Sequence, residues 1–312
     1  MRPRLRKTPL RIDRGYGHTR VVAIALAWTG LFITQALAWG QEGHSIIAEI
    51  AQRRLASHAA AAVEKLLGKG HSFASASTWA DDVRPVRPTT SQWHFADIPI
   101  ASGNYSPERD CKADPAKGDC IVAELERLRT ELRCGSDQQK TEALMFAVHF
   151  VGDIHQPLHT VLEDFGGNTI NVQLTVKGLT CIGDCPPILT NFHRAWDSDL
   201  IHKTVFSWGT YVDRLETGWL KSGEARQIGV NGGKPADWVV ETHQSARKVW
   251  QLLPAGTVSI DGKDYRVMDE GYFNQVLPVM DRQLGVGGLR LARFLNETFR
   301  SPKCPTPSSN TR

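Results

Sequence analysis

The chain has 312 residues, 41% hydrophobic and 22% charged, with six cysteines, which is enough apolar surface for a packed core and excludes a disordered chain or a small disulfide scaffold. The formal charge of +4 is not a nucleic-acid footprint: residues 1–38 hold seven Lys/Arg and one Asp, a surplus of 7 − 1 = 6, so the remainder carries 4 − 6 = −2. No Pro/Ser-rich linker or charge block interrupts the chain before Ser301, which favours one domain over two.

In chain order, residues 1–38 read as a targeting segment: a basic stretch to Arg20, an apolar run from Val21 to Leu37, and the small-residue pattern Ala36-Leu37-Ala38. The run is also long enough for a signal anchor, but the polar Gln41, Glu42 and His44 that follow fit cleavage between Ala38 and Trp39. The mature 312 − 38 = 274 residues contain no second apolar span, so a soluble, secreted or periplasmic protein is expected, in a compartment where cysteines pair. Six cysteines allow 15 connectivities, which spacing alone does not settle; Cys111 with Cys120 and Cys181 with Cys185 are close enough to close local loops, which would leave Cys134 and Cys304.

An all-α, mainly helical fold is expected. Ile46, Ile47, Ile50, Ala51 and Leu55 form one apolar stripe, and Ser57 reads as the N-cap of a helix to Leu67. Further stripes run over 121–132, 142–154, 191–201, 211–220, 238–253 and 273–299. Asn168 to Val176, flanked by Gly166-Gly167 and Gly178, alternates as a short strand or β-hairpin would. Residues 301–312 read as a flexible tail.

The chemistry lies in histidines and aspartates. His149 with Asp153, and His193 with Asp197, stand four apart in helical stretches, which places each pair on one face. Such pairs are also common on solvated faces. Phe146, Val148, Phe150 and Val151 make the first of these helices apolar, however, and a His and an Asp buried there are costly unless paired or metal-bound. The chain then breaks at His155-Gln156-Pro157-Leu158-His159, which turns His159 back toward Asp153.

Together with Trp39-Gly40-Gln41-Glu42-Gly43-His44, Trp79-Ala80-Asp81-Asp82-Val83-Arg84 and His94-Phe95-Ala96-Asp97, this run resembles the zinc-dependent, single-strand-specific nucleases of the S-one/P-one type, relatives of the plant bifunctional nucleases. The resemblance covers Trp39 to at least Leu200. It implies a single multi-helix domain over 39–300 and a three-zinc cluster. Trp39, through its free amine and carbonyl, would share one ion with His44 and a bridging Asp153. Asp81, His94 and His149 would hold the second with Asp153, and His159, His193 and Asp197 the third. Asp82 reads as a surface charge, and His155 as an orienting group rather than a ligand.

The same resemblance implies hydrolysis of single-stranded DNA and RNA to 5′-phosphate products by a monomer, with 3′-nucleotides as further substrates. Zinc suits this chemistry, because it concentrates positive charge at an anionic phosphodiester and lowers the pKa of water to about 7. Arg84 would brace charge on the phosphate, or else lie as a surface arginine at a helix end. Phe95 would stack on the base and Asp97 accept from its edge. Asn168 of Gly166-Gly167-Asn168 would add a polar contact, although the triplet is also an ordinary turn. An insertion around Cys181 to Cys185 departs from the fungal members. Zinc-dependent phospholipase C shares much of the pattern, but the Trp39 to His44 spacing, Asp at 197 and the Phe95/Asp97 pair favour the nuclease. A zinc-sequestering protein would need neither Arg84 nor Phe95, and would close its metal sites.

Overall fold

The computed structural model describes residues 39–114, 118–300 and 304. The expected signal sequence, and the tail apart from Cys304, lie outside the described residues.

The Asp137–Asp153 helix runs through the core. Ser136 caps it by accepting from Gln139 N, while Gln139 accepts from Ser136 N, so it starts five residues before the apolar stripe that announces it. Its last ten residues except Met145 are packed inside, from Leu144 to Asp153. Against it lie the Ile121–Cys134 helix, the Gln41–Gln52 helix and the long Glu270–Arg300 helix. The last two meet closely enough that a Cβ on Gly288 would stand 2.4 Å from Ile50, and one on Gly287 3.1 Å from Ile47. Glycine costs a helix interior about 1 kcal/mol, which is offset here by the burial that the close approach permits.

Some boundaries differ from expectation. Ser57 is the first residue of the Ser57–Leu67 helix rather than its cap, and Ala56 at the cap makes no side-chain bond. The amide of Ala56 donates instead to Asn296 Oδ1 at 2.7 Å, and Asn296 Nδ2 donates to Arg54 O, so a side chain of the long helix staples that corner. The helix expected over 211–220 is Trp208–Thr217, capped by Ser207, and a further helix, Gly223–Asn231, starts at Ser222. The strand expected near Asn168 to Val176 is not part of an isolated hairpin. It is β1 (Asn171–Leu174), antiparallel to β2 (Ile188–Asn191) and parallel to β4 (Lys263–Met268), which pairs with β3 (Thr257–Ile260) in the order β2-β1-β4-β3. β3 and β4 turn through Asp261-Gly262, both at positive φ, a hairpin signal the sequence does carry.

Of the connectivities that spacing leaves open, the structure has Cys111–Cys120, Cys134–Cys304 and Cys181–Cys185. Among the described residues, no helix is long and apolar enough to cross a membrane.

Candidate metal centre

Five stretches of chain converge at the end of the Asp137–Asp153 helix. Gly40 N donates to Asp197 O at 2.8 Å, which seats fully buried Trp39 beside the Asp197 segment and starts the helix that carries His44 one turn later. Asp81 and Arg84 come from the short Trp79–Val83 helix and its end, and His94 from the close of the Pro88–His94 turn. His149 and Asp153 share one helix face. His159 lies in the tight Pro157–Thr160 turn that follows, and Gln156, not expected to take part, caps that turn. His193 and Asp197 come from a helical stretch interrupted by a π turn at Ala195–Asp199, a distortion frequent at functional sites.

The side chains form three groups able to hold metal: His44, His149 and Asp153; Asp81, His94 and His149; and His159, His193 and Asp197. Asp153 joins the first two. Its Oδ1 is 3.2 Å from His44 Nε2, and its Oδ2 is 3.1 Å from His149 Nε2 and 3.0 Å from His94 Nδ1. Asp81 Oδ1 lies 3.6 Å from His94 Nδ1 and 3.7 Å from His149 Nε2, and it accepts from Arg84 Nη1 at 3.1 Å. In the third group, His193 Nε2 stands 3.6 Å from Asp197 Oδ2.

The outward-facing nitrogens are already committed. His149 Nδ1 donates to Ser77 O at 2.7 Å, His159 Nδ1 to His94 O at 2.8 Å and His193 Nδ1 to Gly166 O at 2.8 Å. In the neutral ring each bond fixes the tautomer that leaves Nε2 as an acceptor, the second partner that metal-binding histidines usually have. His159 Nε2, His193 Nε2, both ring nitrogens of His44 and Asp153 Oδ1 are buried without a hydrogen-bond partner, as atoms awaiting a cation would be. His44 stacks on His149 with centroids 3.9 Å apart, and it fits because residue 152 is glycine: a Cβ there would lie 2.6 Å from His44 Nδ1.

Electrostatics agree with this arrangement. Burial lowers His94 to about 4 and His193 to about 3, and it also lowers His44 and His159, keeping those imidazoles neutral. Burial opposes charge on His149 too, but Asp153 and Asp81 beside the ring outweigh it and raise that group to about 9. Asp153 is held well below the ordinary carboxylate range, because the three surrounding histidines outweigh its burial. Burial pushes Asp197 well up.

Phe95 and Asp97 line a cavity of about 420 Å³ beside this centre, with Gln92, Arg109, Lys112 and the Cys111–Cys120 disulfide on its other walls. Ala96 N donates to His159 O at 3.0 Å, which ties the Phe95 segment to the turn that carries His159. Arg84 lies inside the site, with a side chain 10% exposed. Asn168 donates to Phe165 O at 2.7 Å and so closes its own turn. In that turn Asp164, Phe165, Gly166 and Gly167 all have positive φ, and Phe165 is 79% exposed. A non-glycine residue held left-handed is strained, and such strain concentrates at functional sites. Sequence reading passed over Phe165; its signal was an aromatic directly before Gly-Gly. His155 takes no part in the metal groups: its Nδ1 bonds to Val151 O and its Nε2 accepts from Arg290.

Residues 39–300 match the family model described as S1/P1 Nuclease. Endonuclease 2 of Arabidopsis thaliana is 30% identical over 311 residues, covering 89% of this chain and 97% of its own length. Nuclease P1 of Penicillium citrinum is 28% identical, covering 84% and 98%, and Nuclease S1 of Aspergillus oryzae is 27% identical, covering 85% and 93%. The chain belongs to the S1/P1 nuclease family, and with it to the hydrolases that cleave phosphodiester bonds.

Proposed function

We propose that this nuclease is an exported, monomeric, zinc-dependent endonuclease that cuts single-stranded DNA and RNA to products ending in 5′-phosphate and also acts on 3′-nucleotides. The observation that carries the reading is a set of three His/Asp groups, the first two sharing His149 and joined by Asp153, together with a cavity walled by Phe95 and Asp97 and tied to His159 through the Ala96 amide.

The donor set fits zinc: neutral imidazoles and carboxylates in small clusters, with nitrogens left bare by backbone bonds on their far side. Trp39 through its amine and carbonyl, His44 and Asp153 would hold one ion. Asp81, His94, His149 and Asp153 would hold the second, and His159, His193 and Asp197 the third. When bound, zinc supplies concentrated positive charge and water that ionises near neutral pH. That local charge explains how a mature chain of net charge near −2 attracts a polyanion.

The chain's own groups then divide the work. Arg84, held by Asp81, presents its planar fork to the phosphate and steadies charge developing there. Phe95 stacks on an unpaired base, an interaction of about 1–3 kcal/mol that any base satisfies. Asp97 accepts from the base edge. Asn168 serves the pocket by holding the left-handed turn that presents Phe165. Duplex DNA is a poor substrate, because each base must first be unstacked at a cost of a few kcal/mol.

A single digest tests the reading. Purified mature protein is incubated with single-stranded DNA, RNA, duplex DNA, a 3′-nucleotide and phosphatidylcholine, with and without chelator. Single strands and the 3′-nucleotide are consumed, and chelator stops both. Equal rates on duplex and single strand defeat the proposed specificity, turnover of phosphatidylcholine alone indicates a phospholipase, and zinc uptake with no turnover indicates a storage protein.

A further inference from the structure

We infer that Gln156 is a positioning residue for the third metal group, a jig that sets Asp197 against His159 and His193. The inference rests on the zinc-cluster reading above.

Gln156 is fully buried and lies three residues after Asp153 and three before His159. Its backbone belongs to both neighbours: Gln156 N donates to Asp153 O at 2.9 Å, and His159 N donates to Gln156 O at 3.1 Å. Its side chain is held at both ends. Oε1 accepts from Leu158 N at 2.5 Å, and Nε2 donates to Asp197 Oδ1 at 2.6 Å. A backbone N–H can only donate, so the bond to Leu158 fixes which end of the amide is oxygen and compels the NH₂ to face Asp197.

The consequence for Asp197 is geometric. One carboxylate oxygen is occupied, and the other, Oδ2, is turned toward His193 Nε2 at 3.6 Å. The carboxylate plane is therefore set before any ion arrives. Asp197 stands in the π turn and His193 on the short Phe192–Arg194 helix that leads into it, and His159 on the turn that Gln156 caps. Gln156 is the covalent neighbour of one segment and the hydrogen-bond partner of the other. Support of this kind typically changes metal affinity by about 10- to 100-fold.

The test uses two substitutions of nearly equal volume. Gln156→Met keeps the volume but removes both the donor to Asp197 and the acceptor of Leu158 N–H, whereas Gln156→Glu keeps that acceptor and replaces only the donor. Zinc is titrated into mature protein stripped of metal, against a competing chromophoric chelator, with thermal melting recorded in parallel. Wild type binds three zinc ions per chain. Each variant retains two with unchanged affinity and binds the third about 10- to 100-fold more weakly. In kinetics kcat falls, while KM for a 3′-nucleotide stays within about twofold, because the base pocket is untouched. In an Asp197→Ala background Gln156→Glu, which keeps the bond to Leu158 N, produces no further loss, because its effect passes through Asp197.

Three tightly held ions in both variants overturn the inference, as does an additive loss in the Asp197→Ala background. A Gln156→Met chain that stays unfolded at saturating zinc assigns the residue to the fold and overturns it too. Failure of wild type itself to bind zinc defeats the underlying cluster reading instead.

Discussion

Phe95 follows directly on His94, which contacts Asp153, yet Phe95 and Asp153 answer to different physics. Phe95→Ala removes a stacking surface and no ligand, so the Michaelis constant on a single-stranded substrate rises by about 5- to 100-fold while zinc per chain is unchanged, checked by steady-state kinetics beside metal analysis. A fall in zinc content would show that the ring supports the cluster instead. At this scale the sequence was informative because histidine and aspartate in an apolar helix carry their own warning: Phe146, Val148, Phe150 and Val151 make an unpartnered His149 untenable. What it could not convey were the partners on the far side of each ring, Ser77 O, His94 O and Gly166 O, because a backbone carbonyl has no identity in a sequence. Gln156 was hidden for a related reason. An amide next to Pro157 reads as turn chemistry until the fold brings Asp197 to it.

Among the elements, the Gln41–Gln52 helix and the Glu270–Arg300 helix set the frame, and their contact surface is made of absent side chains. Gly288→Val places carbon where Ile50 already stands, and the native state loses about 3 kcal/mol, the upper end of overpacking costs, seen as a lower urea midpoint. An unchanged midpoint would mean that the two helices separate without penalty. Most helices were legible because one amphipathic face repeats within a few turns. The sheet was not. β1 is four residues long and finds β4 far along the chain, with Val172 opposite Arg266, so nothing local to Asn171–Leu174 announces its parallel neighbour. The corner at Ala56 misled for the same reason: its donor is satisfied by Asn296, a residue from the other end of the chain.

For the whole molecule, the metal-free protein has a stability maximum near neutral pH. His149, raised to about 9 in the folded state, binds its proton before the unfolded chain does, so stability grows as pH falls from 9 toward 6.5. Below 6.5 the sign reverses. His44, His94, His155, His159, His193 and His243 are all lowered, so the unfolded chain takes up protons first and stability falls as pH drops toward 4. Glu124, Asp197, Asp199 and Asp281 are raised and oppose this loss, but they are fewer. Urea unfolding of chelator-treated protein between pH 4 and 9 measures the curve, and a stability that climbs steadily into acid would contradict it.

The long Glu270–Arg300 helix gives the site a history as well as a shape. Each side chain assigned here to the chemistry lies before Leu200, yet the helix bearing His44 rests on a surface that begins at Glu270, and a Cβ on Gly287 would lie 3.5 Å from His155. A ribosome working from N- to C-terminus thus finishes the reactive groups well before it supplies the wall that presses them together. During that interval the nascent chain carries these His and Asp side chains without the packing that sets their geometry.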